Sequence, residues 1–359
     1  MRNRSLEEPS TNTVSIAEIL RFAVQKDASD VLITQGAPPT VRIEGELRYL
    51  RGPCLEGRDT QRMVYEVLSD AQIAEFEREK ELDFSISLED HRFRVNCYWE
   101  LGSVAAAFRV VPSRIPELDS LGVPPVMREL VLRPQGLILI TGPTGHGKST
   151  TQAALIDIVN REKKVHIVTV EDPIEFLHSS KKSVVDQREV GQDTDSFARA
   201  LRHVLRQDPD VILIGEMRDL ETMQTALSAA ETGHLVIATL HTNDAVQTID
   251  RIIDTFPPHQ QRQVRAQLSL CLLAVLSQRL LPQKGGGRRV LASELMINNG
   301  AVANLIREGK VQNIYSVMET HAKEGMHTLD KSLKKLYLQG QIERNEARRR
   351  MKNPGLLET

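Results

Sequence analysis

The spacing of hydrophobic positions changes character once along the chain, after about residue 112, and the change separates two architectures. Ile16, Ile19, Leu20 and Ala23 recur on one helical face behind Ser15, which forms a capping box with Glu18. The run 31–34 predicts a strand that Pro38 and Pro39 end, and 40–50 alternates as a strand pair around Glu44, Gly45 and Glu46. A helical pattern covers 59–78, and alternation at 83–88, 92–99 and 103–110 predicts further strands. Residues 13–111 are therefore expected to form a smaller α+β domain on an antiparallel sheet, behind a polar, disordered tail at 1–12. Residues 112–128, rich in proline and turn formers, are the expected linker.

Beyond it the apolar runs become short and nearly continuous, at 137–140, 165–170, 211–214 and 235–240, with helical stretches between them. Strands buried on both faces and alternating with helices predict an α/β core with a mainly parallel sheet over 129–290. After Pro257 and Pro258 the pattern reads as mainly helical, with 291–359 a C-terminal helical region.

Composition narrows the class. A chain of 359 residues with 40% hydrophobic and 26% charged residues has material for two soluble domains. A net charge of −2 gives no general attraction to nucleic acid or an anionic membrane surface. No apolar run approaches the roughly 18 residues that span a bilayer, the run 268–276 being far too short, and the polar N-terminus has no secretory signal. Cys54, Cys97 and Cys271 are scattered, without paired spacing, which predicts a reducing cytoplasmic setting with no structural metal.

The chemistry begins at Gly142, Pro143, Thr144, Gly145, His146, Gly147, Lys148 and Ser149, a GxxxxGK[ST] loop placed between a buried strand and a helix that continues through Thr150. Glycines let the backbone N–H groups turn inward on phosphate at the helix N-terminus. Lys148 is expected to neutralise β/γ-phosphate charge, and the Ser149 hydroxyl to ligate Mg²⁺. A phosphate loop alone does not distinguish kinase, switch and motor. The strand 165–170 leads into Glu171, Asp172 and Glu175, and the strand 211–214 into Gly215 and Glu216. Strand C-terminal ends in a parallel sheet face the ligand crevice, so Glu175 and Glu216 are expected to position Mg²⁺ and an attacking water. Asp172, before a proline, fits a helix cap as well as chemistry. His241, flanked by Thr239, Thr242 and Asn243 at a third strand end, fits a γ-phosphate sensor as well as a structural role, and His234 is similarly open.

Taken together, the phosphate loop, the stretches 169–175 and 208–219, and the boxes at 230–234 and 239–242 resemble the Walker A, Asp box, Walker B and His box of the secretion and pilus superfamily of hexameric ATPases. Within it the chain is similar to the type IV pilus retraction ATPases of the PilT type: the N-terminal domain is short, the four-cysteine insertion of extension motors is missing, and 301–310 resembles the retraction group's C-terminal helix. It departs at Val31-Leu32, where Leu-His is usual, and at Ala301-Val302-Ala303, where Ala-Ile-Arg is common, which keeps a retraction paralogue open.

The resemblance implies a RecA-like P-loop core behind a PAS-like domain, and Mg²⁺-dependent ATP hydrolysis that drives pilus retraction and twitching motility. It also implies a homohexamer on an inner-membrane platform protein at the cytoplasmic face. It makes Glu175 the catalytic carboxylate and Glu216 the Walker B acid, meeting Mg²⁺ through water, and it assigns Arg94 and Arg109 to the nucleotide phosphates. Arg188, Arg202 and Arg206 are weaker candidates for contacts between subunits. Extension or secretion motors of the same superfamily, nucleic-acid translocases and non-catalytic nucleotide-binding subunits remain the alternatives. Near-neutral charge and the lack of basic stretches interleaved with aromatics argue against the translocase.

Overall fold

The computed structural model describes residues 15–358, so the polar segment 1–12 lies outside the described residues. They form two compact units that divide between Ser113 and Arg114.

The first unit is a six-stranded sheet, all of whose neighbours pair antiparallel. Its strands are β1 (Asp30–Ile33), β2 (Thr40–Ile43), β3 (Glu46–Tyr49), β4 (Glu81–Leu88), β5 (His91–Glu100) and β6 (Ser103–Val111), in the order β3-β2-β1-β6-β5-β4. The helix Ile16–Gln25 starts at the expected capping box and buries Ile16, Ile19, Leu20 and Ala23. The single helix expected over 59–78 is two, Gly57–Tyr65 and Asp70–Glu79. Ser69 breaks it, because its side chain caps the second helix with Gln72 and so takes the backbone out of helical geometry.

The second unit carries a seven-stranded sheet in the order β13-β12-β7-β11-β10-β8-β9. Its members are β7 (Gly136–Thr141), β8 (His166–Glu171), β9 (Val184–Glu189), β10 (Val211–Ile214), β11 (Leu235–Leu240), β12 (Leu272–Pro282) and β13 (Arg289–Ile297). Every pairing is parallel except β12 with β13. Alternate residues explain the continuous apolar runs. Leu137, Leu139, Ile212, Ile214, Val236 and Ala238 pack on one face against the helices that follow β9, β10 and β11. Ile138, Ile140, Val211, Leu213, Leu235 and Ile237 pack on the other against Leu155, Ile156 and Val159 of the helix Lys148–Glu162. Leu118, Val123 and Met127, within the expected linker, are buried in this same core.

Two departures matter for the site. The region after Pro257 and Pro258 is not mainly helical: the helix Pro258–Cys271 runs directly into β12, and β13 crosses the expected start of a helical region at 291. Most of β12 is buried without alternation, so its apolar positions show no period of two. β9 also went unpredicted, since its inward residues after Val185 are Gln187 and Glu189.

Candidate functional site

The phosphate loop owes its shape to what surrounds it. β7 is buried along its whole length and ends at Thr141, whose Oγ1 meets Ser277 Oγ of β12 at 2.8 Å. Gly142, Gly145 and Gly147 all have positive φ, at 139°, 76° and 84°. At Gly142 a β-carbon would collide with the Gln278 carbonyl oxygen of β12, so glycine is required there twice over. His146 closes the loop from the far side: the Leu280 N–H donates to its Nδ1 at 2.9 Å, which fixes that nitrogen as an acceptor. Burial, then Arg279, Arg289 and Lys148, hold His146 below its ordinary pKa, in keeping with a neutral ring. Arg289 of β13 donates to the Gly145 carbonyl at 3.0 Å.

Lys148 opens the following helix and is 9% exposed. Its Nζ donates to the carbonyls of Gly142 at 2.8 Å and Pro143 at 3.1 Å and reaches His241 Nδ1 at 3.4 Å. Burial lowers its pKa, opposed by the charges of Glu216 and Glu175. On its other nitrogen His241 meets Glu216, Nε2 to Oε1 at 3.1 Å, and Glu216 Oε2 lies 2.8 Å from Arg218. The lysine can only donate and the carboxylate, when ionised, only accept. Donation from the lysine to Nδ1 goes with an Nε2–H turned to the acid, which makes a continuous relay from loop to acid. Burial would raise the Glu216 pKa, but the Arg218 hydrogen bond and His241 outweigh it, holding the carboxyl below its usual range. Glu216 is placed by its neighbours: Thr239 Oγ1 of β11 donates to the Gly215 carbonyl, and the Met217 N–H donates to Thr239 O at 3.1 Å.

Ser149, Thr150, Glu175, Glu216, His241 and Arg289 are among the residues that line one cavity of about 550 Å³ beside the loop. The donors suit a magnesium–nucleotide pair: a lysine and helix N-terminus for phosphate, with a hydroxyl and a carboxylate oxygen of the kind Mg²⁺ takes. The site gathers the phosphate loop, Glu175, Glu216 and His241, together with Arg218, Gln278, Leu280 and Arg289. The hairpin residues carried no sequence signal while their segment read as helix. Of the other candidates, Asp172 also lines the cavity, and the rest are held elsewhere. His234 Nδ1 donates to the Ala229 carbonyl at 3.0 Å, closing a helix end. Asp172 caps no helix, and its charge acts on Arg218. Arg188 donates to the Asp193 carbonyl at 3.0 Å, and Arg202 pairs with Glu221 at 3.1 Å. Arg94 and Arg109 belong to the first unit, directly opposite each other on β5 and β6, where Arg109 also bonds Asp30 at 2.9 Å.

A glycine loop between a buried parallel strand and a long helix, with two acids and a histidine from adjoining strand ends around one cavity, defines a P-loop ATPase core. The chain belongs to the family described as type II/IV secretion system protein, whose model matches residues 7–349. It is 47% identical over 342 residues to the "Type IV pilus retractation ATPase PilT" of Pseudomonas aeruginosa, covering 95% of this chain and 99% of that one. To a twitching motility protein of Neisseria gonorrhoeae it is 46% identical over 340 residues, covering 94% and 91%. A crystal structure of the pilus retraction motor PilT with bound ADP superposes with a TM-score of 0.87 at 52% identity, over 96% of this chain and 99% of that one.

Proposed function

We propose that this ATPase is the subunit of a homohexameric motor that converts ATP hydrolysis into pilus retraction, and so into twitching motility. The observation that carries the chemistry is the relay from Lys148 through His241 to Glu216 beside the glycine loop. The full-length similarity to retraction ATPases carries the biology. Lys148 and the loop N–H groups bind the β/γ-phosphates, and Ser149, with Glu216 through water, would hold Mg²⁺. The metal supplies charge neutralisation on the phosphate oxygens. Glu175, exposed on the cavity wall, accepts a proton from the water it orients toward the γ-phosphorus. His241 distinguishes the empty site from the loaded one, because Lys148 must leave His241 and the loop carbonyls to meet a phosphate. Arg94 and Arg109 are proposed as the arginines that answer to the terminal phosphate, a role that suits a permanently charged bidentate group.

Among the described residues no helix is long and apolar enough to cross a membrane. Work on a pilus therefore calls for a membrane partner, and the proposal places the ring on an inner-membrane platform protein at its cytoplasmic face. The deciding experiment is gene deletion scored for pilus number and surface motility, complemented with wild type or Lys148→Ala. Persistent, unretracted pili rescued only by wild type support retraction, whereas loss of pili on deletion identifies an extension motor.

A further inference from the structure

Glu175 sits in the stretch after β8, in a segment with no helix or strand to hold it. Yet the backbone groups around it are taken one after another by side chains. The Ile174 N–H donates to Glu189 Oε2 at 3.0 Å. Against burial, the larger effect, which raises the Glu171 pKa, the Glu175 N–H faces that carboxylate and acts to lower it. The Phe176 carbonyl accepts from Gln187 Nε2 at 2.9 Å, and the His178 N–H donates to Gln187 Oε1 at 2.8 Å. Gln187 Nε2 also reaches Glu171 Oε1 at 3.1 Å, where Thr169 Oγ1 arrives at 2.7 Å.

The parallel register explains how one strand can do this. Thr169 pairs with Gln187 and Glu171 with Glu189, so side chains two residues apart on β9 rise on one side, next to the segment 174–178. A carboxamide offers a donor and an acceptor on one short planar end without adding charge beside Glu171. Gln187 spends both ends on the loop, two residues apart in the chain, with Glu175 just ahead of them.

We infer that Gln187 is a positioning residue for catalysis, clamping residues 174–178 so that the Glu175 carboxylate is held at the cavity of the phosphate loop. This rests on the reading of Glu175 as the carboxylate that orients water. Gln187 itself touches no reacting atom.

The test compares Gln187→Met, of matching length without hydrogen bonds, and Gln187→Glu, which keeps the acceptor for His178 and loses the donor. Both are made in the wild-type and Glu175→Gln backgrounds of the full chain. In wild type, kcat for phosphate release is expected to fall on the order of 10-fold or more. KM and the Kd for a non-hydrolysable ATP analogue are expected to stay within about threefold, since the lysine loop is untouched. In Glu175→Gln the same exchanges are expected to change the residual rate little, because a misplaced base costs nothing once the base is gone.

An unchanged kcat in Gln187→Met, or an equal loss in both backgrounds, overturns the inference. Should Gln187→Met fail to fold, Gln187→Glu carries the same comparison. Full turnover by Glu175→Gln alone sinks the assignment of the base and the inference with it. Inactive Glu175→Gln beside fully active Gln187→Met sinks the inference only.

Discussion

Single side chains carry the nucleotide chemistry, and their predicted effects differ in kind. Lys148 has its ammonium on two loop carbonyls and on His241, so its removal takes away both phosphate charge and the relay. Lys148→Ala is expected to weaken ATP binding and to lower phosphate release on the order of 100-fold or more. A filter-binding and phosphate-release assay checks it, and turnover equal to wild type refutes the proposed site. Glu175→Gln is expected to separate the two quantities, binding the ATP analogue normally while turnover falls on the order of 100-fold. His178 adds a pH dependence. Burial, with Lys181 adding to it and Asp157 opposing, pulls its pKa from 6.5 to about 4. The folded state then binds the proton more weakly than the unfolded one. The stability this gives is complete above pH 6.5 and is lost progressively as pH falls toward about 4. Urea unfolding of wild type between pH 7 and 4.5 is expected to lose on the order of 1–3 kcal/mol that His178→Gln does not lose. Parallel curves for the two proteins would contradict it.

At the scale of elements, the β12–β13 hairpin governs the phosphate loop as much as β7 does. Gln278 presses its carbonyl against Gly142 and donates its amide to Thr151 at 2.7 Å, while Leu280 and Arg289 hold His146 and Gly145. Gly142→Ala is expected to push hairpin and loop apart, in a backbone region an L-residue rarely adopts. A lower thermal midpoint together with lost nucleotide binding is the expected result. Unchanged values for both would mean that the two elements are not coupled as described. Legibility also divides at this scale. The loop and the acids at the ends of β8 and β10 were visible because each is contiguous and follows a strand buried on both faces. β9 was not, because a strand whose inward positions are Gln187 and Glu189 has no hydrophobic period to read. β12 was not, because it leaves the helix Pro258–Cys271 at Leu272 with no turn residue to announce the change.

The whole molecule joins an antiparallel unit to a parallel one in a chain of net charge −2. That charge balance gives a further expectation: ATP hydrolysis is not stimulated by single-stranded or duplex DNA at about physiological salt, since a translocase needs a basic track along the backbone. Stimulation of on the order of 10-fold would favour a translocase and remove the pilus assignment.

By itself the amino-acid order determined that a phosphate loop exists, that β7, β8, β10 and β11 are buried on both faces, and which acids stand at or just beyond the ends of β8 and β10. Those are local matters of glycine, lysine and apolar spacing, and they survive without knowledge of what packs where. Tertiary structure alone decided that His241 joins Lys148 to Glu216, that a hairpin from 272–297 presses on the loop, and that Gln187 clasps the segment bearing Glu175. The first two join groups far apart in the chain and the third joins groups nine and 11 residues apart, and polar side chains leave no periodic trace of the partner they will meet.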